Sequence, residues 1–312
     1  MLILWQIKLL TNILEFLGKE SAMGSVMELT SELNIPLLVF VDSDLKSIEP
    51  WWFERLTTPI IEKKASYVTP FYVRHKYDGT ITNNICYPLT TALYGEKIRQ
   101  PIGGDFGVSL EVIKKYLAKP VDWWSGDIGR FGIDIFMTTV AINESKYGVM
   151  QAALGAKIHD AKDPGEDLGP MFSQVVGTLF KLMEVYKDNW KCDKEIQMAE
   201  IYGEIPEVEV KPIKVNFDNL IAKSRSTVAE YENYYKDNLS EEIFNSIINS
   251  NGMIEVELWA KIIFKFEELF TNSENKEEVI SALIPLYYSR VADFVNRTMN
   301  MTTNDTEVSA EF

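Results

Sequence analysis

Cysteine is nearly missing: Cys86 and Cys192 are the only two in 312 residues. That is too few for a disulfide framework or a thiolate metal cluster, so both read as packing thiols and a reducing cytoplasm is the expected compartment. Positive charge is also short. Lys and Arg number 31 against 46 Asp and Glu, and the formal charge of -15 argues against a broad nucleic-acid footprint. Lys19, Arg74, Lys76, Lys97, Arg99 and Lys157 can still focus positive potential into one cleft while the outside stays acidic. A membrane-length apolar run is lacking as well. The opening MLILWQIKLLTNILEFLG is interrupted by Gln6, Lys8, Asn12 and Glu15, well before the roughly 20 apolar residues a span needs. It reads as an amphipathic helix whose apolar side packs on a domain or partner, so no stable membrane span is expected.

What is present is core-forming material, with 46% hydrophobic residues, enough for one large domain or a domain with an appendage. GKESAMGSVMELTSEL reads as a small-residue turn and a second helical run, and IPLLVFVDSDL as a buried strand over residues 37–41 that ends in acids. Asp42 and Asp44 therefore fall where a parallel strand of an open α/β sheet gives way to its loop, the place where such sheets put ligand chemistry. Residues 66–74 read as a second strand leading into the polar stretch HKYDGTITNN. A short helix follows over residues 88–94, then a Pro- and Gly-rich turn, then an amphipathic helix capped by Ser109. A further helix begins near Ile133, and MQAALGAKIHDAKDP is strand-like with a polar, histidine-bearing end. After about Asp167 the chain is dominated by helical runs, which places a catalytic core over residues 1–195 and a mainly helical C-terminal appendage over 206–312. The apolar stripes of that appendage need a partner surface, either the sheet domain or a second copy in a homodimer.

Three constellations can carry chemistry. The first is VDSDL, whose Asp42 and Asp44 can approach one ligand from a turning backbone. Hard divalent cations prefer oxygen ligands and a diphosphate needs its charge neutralised, so the pair suits a Mg²⁺ or Mn²⁺ nucleotide-sugar site; a solvated acidic turn would look the same. The second is His159, flanked by Asp160 and Asp163 in a polar loop, better placed for metal ligation than for core packing. His75 instead lies between Arg74 and Lys76, where phosphate or carboxylate recognition is the more natural role. The third is QPIGGDFG. Gly103 and Gly104 allow close backbone approach and Asp105 can accept hydrogen bonds from sugar hydroxyls, unless the turn merely feeds the next helix.

Taken in order, DSDL, YVTPFYVRHKYDGTITNNICYPLT, RQPIGGDFG, GRFGIDIFMTT and LGAKIHDAKDP resemble the glucosylglycerate, mannosylglycerate and glucosyl-3-phosphoglycerate synthase group of retaining A-type glycosyltransferases, over about residues 18–186. The resemblance implies an α/β, nucleotide-diphospho-sugar transferase fold and a Mg²⁺ or Mn²⁺ ion held by Asp44, helped by Asp42, and by His159. It implies Lys19 beside the donor diphosphate, with Gly103, Gly104 and Asp105 at the donor sugar. Arg74, Thr80 and Asn83 would hold a glycerate-like acceptor, and Asp134 would orient its hydroxyl. The partners implied are a nucleoside-diphosphate sugar and a small hydroxy acid. Family members begin with a further strand, helix and strand that grip the nucleotide base, so the expected fold lacks its first βαβ unit. A nucleotidyltransferase, or an inactive interaction protein, is the competing expectation from the same acidic turn.

Overall fold

The computed structural model describes residues 18–124, 126–158, 169–190, 195–208, 210, 212–303 and 306, with the side chains of 18–21 and 122 not included. The amphipathic helix expected at the N-terminus, before GKESA, lies outside the described residues. Helix α1 spans Gly18–Glu32 and ends at Asn34, a residue type that tolerates its left-handed φ of 51°. Strand β1, Leu37–Phe40, follows at once. Helix α2, Pro50–Ile61, starts with proline at its first position, where the missing N–H costs nothing. Its Trp52, Leu56 and Ile60 recur every four residues, so one face of the helix packs on the sheet.

Strand β2, Tyr67–Val73, is buried along most of its length on both faces, as a central strand should be. Beyond it come helix α3, Tyr87–Tyr94, the short strand β3, Glu96–Lys97, and strand β4, Phe106–Ser109. Helix α4, Leu110–Leu117, is capped by the Ser109 hydroxyl, which accepts from the Val112 N–H at 3.4 Å. Ser109→Ala should therefore lower stability by about 1 kcal/mol, measured by denaturant unfolding. A one-turn helix α5, Val121–Trp124, leads to α6, Ile133–Glu144, and to the long strand β5, Val149–Ala156.

The main sheet has the order β1-β4-β2-β5-β7, where β7 is Ile201–Tyr202; β3 pairs separately with β6, Gln197–Met198. Strands β2, β5 and β7 are mutually parallel, while β4 is antiparallel to both β1 and β2. The sheet is therefore mixed. β1 runs in the same direction as β2, but its hydrogen-bonded neighbour is antiparallel, which corrects the expectation of a simple parallel strand before Asp42. Helix α2 lies close against β4 because Gly107 carries no side chain: a Cβ there would overlap the Leu56 carbonyl of α2.

Helix α7, Gly169–Val185, starts the helical region, which continues with α8, Phe217–Glu230, α9, Glu232–Asn238, α10, Glu241–Asn249, α11, Val256–Asn272, and α12, Lys276–Thr298. These helices share one hydrophobic core with the residues under the sheet, from Met23 to Val295. Polar joints reinforce it. Trp259 Nε1 donates to the Asn84 carbonyl at 2.6 Å, and the Thr80 and Tyr287 hydroxyls lie 2.6 Å apart. Among the described residues no helix is long and apolar enough to cross a membrane.

Candidate active site

The strand directions decide which loops meet. β1, β2 and β5 all end at the same edge of the sheet, and β4 begins there because it runs the other way. Four segments consequently share the carboxyl edge: the turn after β1 with Asp42 and Asp44, the loop after β2 from Arg74, the turn Gly103–Gly104–Asp105 before β4, and Lys157 after β5. Open α/β sheets bind ligands at this edge.

Lys157 joins three of those segments. Its ammonium donates to Asp42 Oδ2 at 2.9 Å and to the Gly103 carbonyl at 2.7 Å, and it lies 3.4 Å from Asp105 Oδ2. Its side chain is only 8% exposed, so these contacts are formed largely away from water. Asp105 is fully buried, accepting the Asp42 N–H at 2.8 Å through Oδ1 and the Tyr72 hydroxyl through Oδ2. Burial pushes the Asp105 carboxyl above its usual range, while Lys157, Tyr72 and the Asp42 amide pull it back. The adjacent Gly104 has φ +81°, and a Cβ on it would overlap the Asp42 carboxylate. Gly104 is thus what lets the second turn close on the first, while a Cβ on Gly103 would overlap Pro70 of β2. Asp105 is turned into this junction, beneath the turn that carries it.

A second tie runs between the β1 and β5 ends. Lys46 N–H donates to the Ile158 carbonyl at 2.8 Å, and Ile158 N–H donates to Ser47 Oγ at 3.1 Å. The chain just after Asp44 is thereby stitched to the residue preceding His159. His159 itself, with Asp160 and Asp163, lies outside the described residues, as does the side chain of Lys19, whose backbone belongs to the first turn of α1. Asp44 is exposed at the tip of its turn.

The loop after β2 is built differently. Arg74 makes a two-pronged pair with Asp78, Nε and Nη2 each 2.8 Å from a carboxylate oxygen. Asn83 donates to the Lys76 and Asp78 carbonyls at 3.3 Å and accepts from Arg99 Nη1 at 2.9 Å, so it links Arg99 to the Arg74–Asp78 pair. It sits in a π-helical turn, Thr82–Cys86, a geometry frequent at functional sites. Thr80 is turned the other way, buried against Tyr287 of α12. Lys76 is buried as well, donating to the Thr298 carbonyl at 2.6 Å and to the Met301 carbonyl. Burial, and then Lys76, holds the His75 imidazole below its usual range. Cys86 is a buried packing thiol that burial holds protonated.

Asp134 lies in the first turn of α6, half-buried. One turn further on, Thr138 donates to the Pro101 carbonyl at 2.7 Å, so the Asp134 face of α6 is anchored to the segment that leads into Gly103. Three residues escaped the sequence reading of the site or were underused in it. Lys157 stood out only as one basic residue among several, Gln100 only as a letter in RQPIGGDFG, and Tyr72 as one aromatic in a strand. The spacing of Lys157 two residues before His159, at the end of an apolar strand, was the available signal.

Among the described residues no group of three or more His, Cys, Asp or Glu side chains gathers as a metal site. Asp42 and Asp44 do supply hard oxygen donors from a single turn, and Asp42 Oδ2 is shared with Lys157. Two carboxylates suit an ion that keeps several waters or takes phosphate oxygens to complete its shell.

No protein-family model matches the chain and no curated protein matches it. Among solved structures it is similar to a glucosyl-3-phosphoglycerate synthase from Mycobacterium tuberculosis in complex with phosphoglyceric acid, at 25% identity and a TM-score of 0.42. The match covers 53% of this chain and 55% of that one, so the chain spans about half the length of that protein.

Proposed function

We propose that the chain is a retaining, metal-dependent hexosyltransferase of the A-type fold, moving a sugar from a nucleoside-diphosphate donor to D-glycerate, 3-phosphoglycerate or a similar small hydroxy acid. The observation that carries this reading is the junction at the carboxyl edge of the sheet, where Lys157 ties the Asp42 turn to the Gly103–Asp105 turn. A cation and two carboxylate-bearing turns at one sheet edge suit a metal-bridged diphosphate, and the ordered motifs of the sequence agree with that assignment.

Asp42 and Asp44, with His159, would hold Mg²⁺ or Mn²⁺, which when bound supplies positive charge to the departing diphosphate. The chain's own residues do the rest. Lys157, and Lys19 from α1, add positive charge at the leaving group. Arg74 and Asn83, with Arg99 behind them, face the acceptor carboxylate, and Gly103 and Gly104 let the backbone approach the sugar. The acceptor oxygen bonds to the anomeric carbon as the bond from that carbon to the diphosphate oxygen breaks, and the acceptor proton passes to the departing phosphate. Before transfer Asp134 accepts the hydrogen bond of the acceptor hydroxyl and aims its oxygen, and that single proton turns to the departing phosphate only as the new bond forms, a contribution that depends on alignment.

Product analysis tests this directly. Free nucleoside diphosphate together with a glycosylated hydroxy acid supports it, whereas pyrophosphate would assign nucleotidyl transfer to the same acidic turn. Asp134→Asn keeps the side-chain size and an accepting oxygen in the first turn of α6, so melting behaviour and donor binding should stay while transfer falls by about 10²-fold. Transfer at the parental rate would leave Asp134 no part in aiming the acceptor.

A further inference from the structure

We infer that Tyr72 is a positioning residue that sets the Asp42 turn for its ligand, acting through Asp105 and without touching substrate. The inference rests on the proposed function only for the identity of that ligand. Its basis is the way the end of β2 is built. The β2–β5 register shifts between Phe71 and Tyr72, with Leu154 of β5 as the extra residue, so Tyr72 keeps the face it shares with Val68 toward α2 while the ladder beside it is interrupted. At that point Gln100, itself buried, takes the place of a strand partner: its Oε1 accepts the Tyr72 N–H at 2.7 Å and its Nε2 donates to the Tyr72 carbonyl at 3.2 Å. Both backbone polar groups of Tyr72 are thus held by one amide, which fixes the direction of the ring.

The Tyr72 side chain then meets Asp105 and Lys157 directly and Asp42 through Asp105. Its hydroxyl donates to Asp105 Oδ2, Asp105 Oδ1 accepts the Asp42 N–H, and the Lys157 ammonium lies 5.4 Å from the ring centroid. On the opposite side the ring packs on Trp52 of α2 at 5.4 Å between centroids. Such a buried, oriented phenol holds one carboxylate oxygen in place, leaving the other to grip the backbone of Asp42. Burial and the adjacent carboxylates keep the phenol protonated, so it remains a donor. The carboxylate that would bind a cation is in this way held by its own amide through a two-step relay.

Tyr72→Phe removes the donor and keeps the ring. Tyr67→Phe is the matched control, since Tyr67 is a fully buried phenol of the same strand whose hydroxyl meets Thr138 at 3.2 Å instead. Two readouts separate the claims: amide hydrogen exchange at Asp42, and nucleoside-diphosphate affinity with Mn²⁺ by calorimetry. In Tyr72→Phe, Asp42 exchange should rise at least tenfold and affinity fall about tenfold, with neither change in Tyr67→Phe. Parental exchange at Asp42 in Tyr72→Phe would overturn the inference, as would equal rises in both variants. If exchange rises only in Tyr72→Phe but the parent protein binds no nucleotide, the relay stands and the proposed function falls.

Discussion

Asp44→Ala is expected to abolish the metal-dependent part of nucleotide binding while leaving the fold intact. The side chain is exposed on a two-residue turn beyond β1 and lies outside both hydrophobic clusters, so its loss should change stability by no more than about 0.5 kcal/mol. The effect on the ligand is a different matter. Substituting even an outer-shell partner of a metal commonly costs about 10- to 100-fold in affinity, and a direct oxygen ligand should cost at least the upper figure. Calorimetry of a nucleoside diphosphate with Mn²⁺, run beside a thermal melt, separates the two effects. An unchanged Mn²⁺-dependent affinity would move the metal site away from this turn.

Lys157→Met should have the largest effect on stability. The substitution keeps the length and apolar stem of the side chain but leaves Asp42 and Asp105 facing each other without a cation. Removing one member of a buried ion pair typically costs about 3–5 kcal/mol, and because Asp42 is 21% exposed the lower end, about 3 kcal/mol, applies here. The cost carries a pH signature. Burial raises the folded-state value of Asp105 above its ordinary 3.8, so the native state holds a proton that the unfolded state has released, and stability declines as pH rises through that interval. Lys157 opposes the shift, so without it the interval extends upward. The stability gap between Lys157→Met and the parent should therefore be wide at neutral pH and narrow toward about pH 4, as followed by denaturant unfolding.

Much of the chain announces its local structure. β2, α3, the start of α6 and β5 fall within a residue or two of where hydrophobic period and turn chemistry place them, and Ser109 caps α4 as its type and position predict. These are segments in which local preference and tertiary packing agree. The sequence reading missed β4, since FGVS is four residues squeezed between a glycine turn and a helix and its strand character comes from two neighbours distant in sequence. It passed over α2 too, where PWWFERLTTPII carries an internal Pro59 yet is held on the sheet by Trp52, Leu56 and Ile60.

The site shows the same division. Asp42, Gly103 and Gly104 were legible as residue types at strand ends and in tight turns. That Asp105 would face inward, that Thr80 would serve α12, and that Lys157 would bridge the two turns depended on long-range register. The separation between Asp42 and Lys157, which is 115 residues, is closed only by the order of strands in the sheet.

The most direct measurement of the central claim is calorimetric titration of the full chain with uridine, guanosine and adenosine diphosphates, each with Mn²⁺ and then with excess chelator. The junction of Asp42, Asp44 and Lys157 predicts saturable binding of at least one of them in the presence of the metal, lost on chelation and lost in Asp44→Ala. Binding of equal strength with and without metal, or no binding of any of the three, would contradict it.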